Sequence, residues 1–399
     1  MIYETTMTSV VRYVGDVQDL PALPDEHETW LRPVALVAAD DPATAVPDGR
    51  YHNSSYLRLA GGWQAFCLVD VVMRSAKDQQ APFTVWRTDY SSYRAASADK
   101  ARADIILHEL TRPRADIAGL KMDRPHLMGI VNVTPDSFSD GGVHLDSRKA
   151  LAGARQMLAD GASLVDIGGE STRPGAEPLA EQQELARIMP VIEALARDNS
   201  LISADTRRPA VMRRASAAGA SFINDVSGFQ DKMAIDAARD SFLHSPGKFG
   251  VMAMHMQGTP ETMQDNPHYE FAPIDVFNAL RDCRDRLEAA GIPRSHIILD
   301  PGYGFGKTVA HNLDIIRWTS LFHGLGVPLL LGVSRKSSIS TLMKADSVFQ
   351  NGPVPSGNQA MDRLAGSLAL SVQASEQGAQ FIRTHDITET YQAITVARG

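Results

Sequence analysis

The fold is decided by one stretch, His126-Leu-Met-Gly-Ile-Val-Asn132-Val-Thr-Pro-Asp-Ser-Phe-Ser-Asp140-Gly-Gly142. It starts with an apolar run of strand length, Leu127–Val131, and delivers the polar side chain of Asn132 where that run ends. The loop that follows is polar and closes on a glycine pair. A buried strand that feeds a polar loop is typical of parallel α/β proteins, in which functional groups gather at the carboxyl ends of the strands.

The same pattern repeats to the end of the chain. Short apolar runs alternate with amphipathic segments, which indicates parallel strand–helix–strand units, and eight such units follow one another from Leu127 onward. We therefore predict an α/β fold with a (β/α)8 TIM barrel over residues 123–399, preceded by a small α+β extension over residues 1–122. The alternative is an open doubly wound sheet, which rarely supplies so many units in sequence.

The predicted extension has a different pattern from the barrel. Its apolar runs predict strands at Val34–Ala39, Ala65–Met73 and Phe83–Arg87. Ser97 is predicted to cap a helix that runs to about Leu110. Its sequence contains no recognisable metal cluster, phosphate loop or nucleophile–base pair. We interpret it as a structural or docking appendage of unknown role rather than a second catalytic domain.

Bulk composition excludes several classes of function. The formal net charge of −8 argues against a nucleic-acid surface, because phosphate binding favours a clustered basic face. We expect the pair Arg207 and Arg208 to face solvent. The only cysteines, Cys67 and Cys283, fit a reducing cytosol. No apolar run approaches the ~20 residues that span a bilayer, so we expect a cytoplasmic protein without a membrane segment.

Polar side chains at the predicted strand ends are the candidate functional groups, because a barrel gathers them at one face. The acids and amides come mostly from the first, third, fourth and sixth strand–helix units, which end at Asn132, Asp205, Asn224 and Asp300, and they suit the N–H-rich edge of a guanidine-like heterocycle. The cations, with His385 counted among them, come from the second, seventh and eighth units, as Arg173, Lys336, Arg383 and His385, and suit a phosphate. Taken singly, each of these residues could be a helix cap or a solvated charge. The full set is Asn132, Glu170, Thr172, Arg173, Asp205, Asn224, His255, Asp300, Lys336, Arg383 and His385.

Two other kinds of site are disfavoured. The run from Gly302 to Thr308 has three residues between its two outer glycines, where a phosphate loop needs four. A zinc site lacks ligands, since only His255 and His385 lie at strand ends and no cysteine does.

These strand ends lie in ordered motifs that resemble the dihydropteroate synthase family of the folate pathway. The resemblance runs from about Pro125 to the C-terminus, roughly two-thirds of the chain, and the number and order of the motifs make it specific. The motifs are Met128-Gly-Ile-Val-Asn-Val-Thr-Pro-Asp-Ser-Phe-Ser-Asp140, Gly168-Gly-Glu-Ser-Thr-Arg-Pro-Gly-Ala176, Asp205-Thr206, Ile223-Asn-Asp225, Met254-His-Met-Gln-Gly258, Asp300-Pro-Gly-Tyr-Gly-Phe-Gly-Lys307, Ser334-Arg-Lys-Ser337 and Arg383-Thr-His-Asp386.

The resemblance implies a pterin-binding transferase. It would join 6-hydroxymethyl-7,8-dihydropterin diphosphate to 4-aminobenzoate and release diphosphate, with Mg²⁺ as cofactor near Asn132 and the acidic loop after it. The residues implied in catalysis are Lys336, Arg383, His385, Asp205 and Arg173.

The resemblance also implies three sub-sites. The residues implied for the pterin are Asp205, Asn224, Met254, Asp300, Phe305 and Lys336. Those implied for the diphosphate are Asn132, Arg173, Arg383 and His385. Those implied for 4-aminobenzoate, where sulfonamides would compete, are Phe138, Ser139, Thr172, Arg173, Pro174 and Ser337.

Two other functions remain as alternatives. A pterin-dependent methyltransferase barrel shares the acid and amide pocket but has no need for Lys336 or the cationic pair of unit eight. A non-catalytic pterin-binding homologue would not need the residues that the resemblance implies in catalysis, all of which are present in this sequence. By resemblance we expect a homodimer. The excursion between Lys344 and Gln359 is expected to gate access or to contact a partner.

Overall fold

The structure is a computed structural model that describes residues 11–16, 23, 29–39, 56–74, 82–133, 142–170, 179–345 and 361–398. Some of the predicted site residues lie outside these ranges, namely Phe138, Ser139, Thr172, Arg173 and Pro174. The predicted excursion lies outside them as well, except for residues 344 and 345.

In the described part of the extension, two small sheets and two α-helices precede the barrel. Their strands are β1 (Val11–Asp16), β2 (Thr29–Val34), β3 (Val37–Ala38), β4 (Leu57–Arg58), β5 (Gln64–Phe66), β6 (Leu68–Arg74) and β7 (Phe83–Asp89). One sheet has the order β1-β7-β6-β2 and is antiparallel except for the pair β1 and β7; the other has the order β3-β5-β4. Helices α1 (Tyr90–Ala96) and α2 (Lys100–Thr111) bury Tyr93, Leu107 and Leu110 against the inner strands.

Local backbone conformation corrects three of the predictions for this region. The strand predicted at Val34–Ala39 is interrupted, because the chain turns at Ala35, whose φ is +50°, so that Val34 ends β2 and Val37–Ala38 form β3. The strand predicted at Ala65–Met73 is divided at Cys67 into β5 and β6, whereas the one predicted at Phe83–Arg87 is confirmed as β7. Ser97 does not cap α2: its hydroxyl donates to the Tyr93 carbonyl and ends α1, and Asp99 caps α2.

Eight parallel strands form the barrel. They are β8 (His126–Asn132), β9 (Leu164–Gly168), β10 (Ile202–Asp205), β11 (Phe222–Asp225), β12 (Gly250–Met254), β13 (Ile297–Asp300), β14 (Leu330–Leu331) and β15 (Phe381–Thr384). They are hydrogen-bonded in the order β13-β12-β11-β10-β9-β8-β15-β14. A parallel bridge between Leu299 and Leu329 joins the two ends of this order. The predicted (β/α)8 barrel is therefore confirmed, and the open sheet is excluded.

Helices connect the strands on the outside of the barrel. They are α3 (Gly142–Ala159), α4 (Glu181–Arg197), α5 (Pro209–Ala217), α6 (Lys232–His244), α7 (Ala272–Ala289), α8 (Val309–Arg317), α9 (Ser337–Ala345), α10 (Leu364–Glu376) and α11 (Ile387–Ala397). A 3₁₀ segment, Thr319–Leu325, follows α8. Within the described ranges no helix combines the length and apolar character needed to cross a membrane.

Helix α4 shows why these segments become helices that cover the barrel. Ile188, Val191, Ile192 and Leu195 lie at i, i+3, i+4 and i+7 and are fully buried, so a single apolar stripe faces the strands. Glu181 and Glu184 fall in the first turn, where the positive end of the helix dipole favours carboxylates.

The extension is docked on the barrel through its edge strand β2, which packs on the 3₁₀ segment Thr319–Leu325. The Arg32 guanidinium lies 4.5 Å from the centroid of the Trp318 ring and donates to the Arg317 carbonyl at 2.9 Å. The Ser320 hydroxyl donates to the Pro33 carbonyl at 2.7 Å. Trp30 and Phe83 belong to the same apolar core as the barrel helices, so this face of the extension is buried against the barrel.

The segment that leads from α2 to β8 closes the lower end of the barrel. Ile117 is fully buried and packs in one cluster with Met128, Phe222, Met252 and other residues from the amino ends of the strands. The Arg114 guanidinium, 7% exposed, donates to the carbonyls of Arg112, Glu109 and His323 at 2.8–3.1 Å. Residues upstream of the predicted boundary at 122 therefore complete the barrel core.

We expect Arg114→Met to lower the free energy of unfolding by about 1–3 kcal/mol, because the substitution leaves buried carbonyls without a donor. Urea denaturation followed by tryptophan fluorescence measures the change. Arg124→Met, at an exposed position only ten residues away, is the matched control and is expected to unfold like the wild type. Equal midpoints for the two variants would contradict the structural role of Arg114.

Candidate active site

Strand register brings the predicted polar residues to one end of the barrel. Asp205 of β10 is paired with Asn224 of β11, and Met254 of β12 is paired with Asp300 of β13. Because Cα partners in a parallel sheet direct their side chains to the same face, each pair presents its side chains together. Asn132 ends β8 beside Gly168, and Arg383 lies near the end of β15.

A buried network links four of these strands. The Arg383 guanidinium donates from Nε to Asp166 at 2.7 Å and from Nη2 to Asp205 at 2.9 Å. The amide of Asn224 donates to the same Oδ2 of Asp166 at 3.0 Å. Asp166 is fully buried, and its other carboxylate oxygen, Oδ1, has no hydrogen-bond partner among the described residues. One arginine therefore bridges two carboxylates across the barrel and fixes the position of both.

Burial and mutual repulsion set the charges in this network. Burial, reinforced by the neighbouring Asp166, raises the pKa of Asp205 to about 7. For Arg383, burial lowers the pKa but the two carboxylates outweigh it, so the net shift is upward and the guanidinium is charged. The centre therefore holds a permanent cation beside a carboxyl group that can change its charge near neutral pH.

A second group of residues forms a half-apolar wall. The Lys336 ammonium lies 4.1 Å from the centroid of the Phe305 ring, within cation–π distance. Phe305 packs in a cluster with Val226, Met254, Met256 and Met263. Burial raises the pKa of Asp300 to about 6 and lowers that of Lys336 to about 8, each opposed by the attraction between the two charges. A flat ring could contact the apolar side while its N–H groups reach the carboxylates.

His385 differs from its predicted cationic role. Its Nδ1 shares a hydrogen bond of 2.9 Å with the Ser334 hydroxyl, which also accepts the His385 backbone N–H. Burial and the nearby cations Arg335 and Arg383 lower its pKa to about 4. The imidazole is therefore neutral at pH 7, and the prediction of a histidine cation was wrong because it ignored burial. A neutral imidazole can still donate one hydrogen bond to an anion.

Two other predicted residues lie at the rim of the barrel. Asn132 is exposed at the end of β8, and Ser337 is exposed as the first residue of α9. His255 belongs to the wall region but is engaged elsewhere: its Nδ1 lies 3.0 Å from Lys307 Nζ. Among the described residues no cluster of three or more histidine, cysteine or acidic side chains could hold a metal.

Two functional positions were missed by the sequence reasoning. Asp166 is not among the predicted site residues, although an acid in the middle of a buried strand already indicates a paired charge. Arg208 does not face solvent as expected: its guanidinium binds Glu170 at 2.9 Å and Glu184, and Glu170 accepts the Leu179 N–H at 3.0 Å. This cluster therefore joins Glu170 to Leu179, the two described residues on either side of residues 171–178.

Comparison with known proteins gives the class and then the family. The family model of pterin-binding enzymes matches residues 128–385. This chain is 43% identical to the dihydropteroate synthase of Escherichia coli K12 over 281 residues, which is 70% of this chain and 93% of that protein.

Two solved structures have the same barrel. One is the Yersinia pestis dihydropteroate synthase in a sulfonamide drug complex, with 43% identity, a TM-score of 0.62 and coverage of 70% of this chain and 94% of that one. The other is the Xanthomonas albilineans dihydropteroate synthase with 4-aminobenzoic acid, with 42% identity, a TM-score of 0.62 and coverage of 71% and 96%.

The closed barrel, the polar residues at one of its ends and the match to the pterin-binding family model together define a pterin-binding barrel enzyme. Within that class, the chain belongs to the dihydropteroate synthase family, whose members are transferases of folate biosynthesis.

Proposed function

We propose that this chain joins 6-hydroxymethyl-7,8-dihydropterin diphosphate to 4-aminobenzoate, with Lys336, Arg383 and Asp205 as its central groups. The observation that carries the proposal is the Arg383 bridge between Asp166 and Asp205 beside the Phe305–Lys336 wall. The carboxylates accept N–H groups from the pterin edge, and Phe305 and Met254 contact its faces. These fixed charges are formed before the substrate arrives, so they need no rearrangement when charge develops in the transition state.

The diphosphate sub-site is proposed to consist of Asn132, Arg173, Arg383 and His385. Cations and the neutral His385 N–H would stabilise the negative charge that collects on the departing diphosphate. The arylamine would then attack the electron-poor carbon left on the pterin. Ser337, with Phe138, Ser139, Thr172, Arg173 and Pro174, is proposed to contact 4-aminobenzoate, which would make this the position where sulfonamides compete.

Mg²⁺ fits this site as a partner of the substrate rather than of the protein. Asn132 offers one amide oxygen, and Mg²⁺ commonly takes only one or two protein ligands together with waters and substrate phosphates. When bound, it would neutralise diphosphate charge. The family resemblance further supports a homodimer, and the cysteine content supports a cytoplasmic location.

The test is diphosphate release by the purified full chain with the pterin diphosphate and Mg²⁺, with and without 4-aminobenzoate. Sustained release that requires the arylamine is expected. Pterin binding without turnover would favour the non-catalytic homologue, and turnover that needs a methyl donor would favour the methyltransferase barrel.

The pH dependence of kcat/KM for the pterin substrate is expected to be bell-shaped. Asp205 and Asp300, with pKa values raised to about 7 and about 6, accept N–H groups most strongly when ionised, so kcat/KM rises with pH through this range. Lys336, with its pKa lowered to about 8, loses its charge above that value, so kcat/KM falls again. A flat profile from about pH 5 to pH 9, with the protein folded throughout, would contradict this assignment.

A further inference from the structure

Lys307 is a buried lysine whose Nζ donates to main-chain carbonyls, while the Asp300 carboxyl favours its charged form from beyond ion-pair distance. Its side chain is 2% exposed, and in the described part of the chain it forms no ion pair. Its ammonium instead lies among four acceptors: the carbonyls of Gly302 and Phe305 at 3.0 Å, the carbonyl of His255 at 3.4 Å and the His255 Nδ1 at 3.0 Å. Burial lowers the pKa of Lys307 to about 7. A methionine would fill this space without the desolvation penalty, so the ammonium has a more specific role than filling volume.

These acceptors belong to two different loops. His255 begins the loop after β12, whereas Gly302 and Phe305 belong to the glycine-rich loop after β13. Lys307 therefore joins the loop after β12 to the loop after β13. The Tyr269 hydroxyl adds a parallel hydrogen bond by donating to the Gly306 carbonyl at 2.7 Å.

The glycines of this loop allow the contact. A Cβ atom at Gly302 would lie 1.9 Å from the His255 carbonyl oxygen, and one at Gly306 would lie 2.5 Å from that of Gln257. Both glycines have positive φ, at +69° and +57°. The two backbones are thus as close as glycine permits, and the lysine fixes them at this separation.

The fixed loop carries one wall of the site. Phe305 supplies a carbonyl to Lys307, and its ring lies 4.1 Å from the Lys336 ammonium. A Cβ atom at Gly304 would lie 3.0 Å from Cδ of Lys336, so the loop backbone also lies against the lysine stem. A shift of this loop would therefore move the aromatic wall and the catalytic cation together.

We propose that Lys307 is a positioning residue for the pterin sub-site, which sets the Phe305 ring and the Lys336 ammonium by joining the loops after β12 and β13. The inference rests on the proposed function, because it assigns the Phe305–Lys336 wall to the pterin. It adds a residue that touches no substrate and acts through the main chain of Phe305.

The test compares Lys307→Met with Arg114→Met well below the melting temperature of both. Each substitution removes a buried cation that donates to main-chain carbonyls, but Arg114 lies at the opposite end of the barrel. For Lys307→Met we expect kcat/KM for the pterin diphosphate to fall roughly ten- to a hundredfold, as small misplacements at an active site do. Most of the change should be in KM for the pterin, with KM for 4-aminobenzoate unchanged. Arg114→Met should leave both KM values unchanged.

Two further variants separate positioning from folding. When Lys307→Met is added to the Phe305→Leu variant, kcat/KM for the pterin diphosphate should fall little further if the lysine acts through the Phe305 ring. The effects of substitutions at coupled residues do not add. If Lys307→Met does not fold, Tyr269→Phe removes the parallel tie and should raise the same KM roughly threefold, because it loses one hydrogen bond. An unchanged KM for the pterin diphosphate in Lys307→Met would overturn the proposal, as would the same change in this KM in Lys307→Met and Arg114→Met. Where Tyr269→Phe replaces Lys307→Met, an unchanged KM in Tyr269→Phe would overturn it.

Failure of the proposed function gives a different result. If the wild type releases no diphosphate, pterin affinity measured by calorimetry still tests the lysine. A Kd that is weakened by Lys307→Met and not by Arg114→Met would then support the positioning role without the synthase reaction. An unchanged Kd would overturn it.

Discussion

Lys336→Met is expected to lower kcat/KM for the pterin diphosphate by about a thousandfold, the upper range for loss of one preorganised electrostatic group. The substitution keeps the length of the side chain but removes the ammonium that lies over the Phe305 ring. It also removes a cation that opposes the upward shift in the pKa of Asp300, so more of that carboxyl group will be protonated at pH 7. Steady-state diphosphate release measures the effect.

The matched control is Lys232→Met. Lys232 begins α6 and its side chain is 90% exposed, so its activity should equal that of the wild type. Lys336→Met should also melt close to the wild-type temperature, because the ammonium forms no ion pair in the described part of the chain. A kcat/KM within tenfold of the wild type would remove Lys336 from the catalytic set.

Arg383→Met is expected to lower the free energy of unfolding by about 3–5 kcal/mol and to abolish turnover. Asp166 and Asp205 would keep their buried positions, with side chains 0% and 13% exposed, but would lose the guanidinium between them. Removing one partner of a buried ion pair costs more than the pair contributes, because the remaining charge has lost its solvation. Urea denaturation of the variant gives the change directly.

A second substitution tests the cause of this loss. Arg383→Met combined with Asp166→Asn removes one of the stranded carboxylates, so the double variant should be more stable than Arg383→Met alone. Arg155→Met breaks a pair with Asp198 whose side chains are 53% and 38% exposed, and should leave the denaturation midpoint unchanged. A midpoint for Arg383→Met equal to that of Arg155→Met would show that the network is not needed for stability.

The barrel could be predicted from sequence because its signal is local. Each apolar run is followed within the same few residues by the polar group that ends it, and β8, β10, β11 and β13 do end at Asn132, Asp205, Asp225 and Asp300. The start of the helix after β8, at Gly142, could not be predicted in the same way, because local sequence fixes helix ends less firmly than it fixes the helix itself.

What could not be predicted depends on contacts between distant segments. Asp166 and Arg383 are 217 residues apart, and only the closed barrel brings them to 2.7 Å. The neutral state of His385 has the same origin, since no sequence pattern reports the burial that lowers its pKa. Ala35 illustrates the opposite limit: a single residue with positive φ ends a strand that its apolar neighbours would continue.

The segment around Ile117 has a consequence for how such proteins can be inherited. Its side chain completes the floor of a barrel whose family match begins only at residue 128. A recombination event that joined a new N-terminal extension at residue 128 would produce a barrel whose apolar floor is exposed. Exchange of extensions between relatives would then succeed only at a crossover point upstream of Ile117. The segment that contains Ile117 and the barrel should therefore have diverged as one hereditary unit, with substitutions at Ile117 matched by changes in Phe222 and Met252.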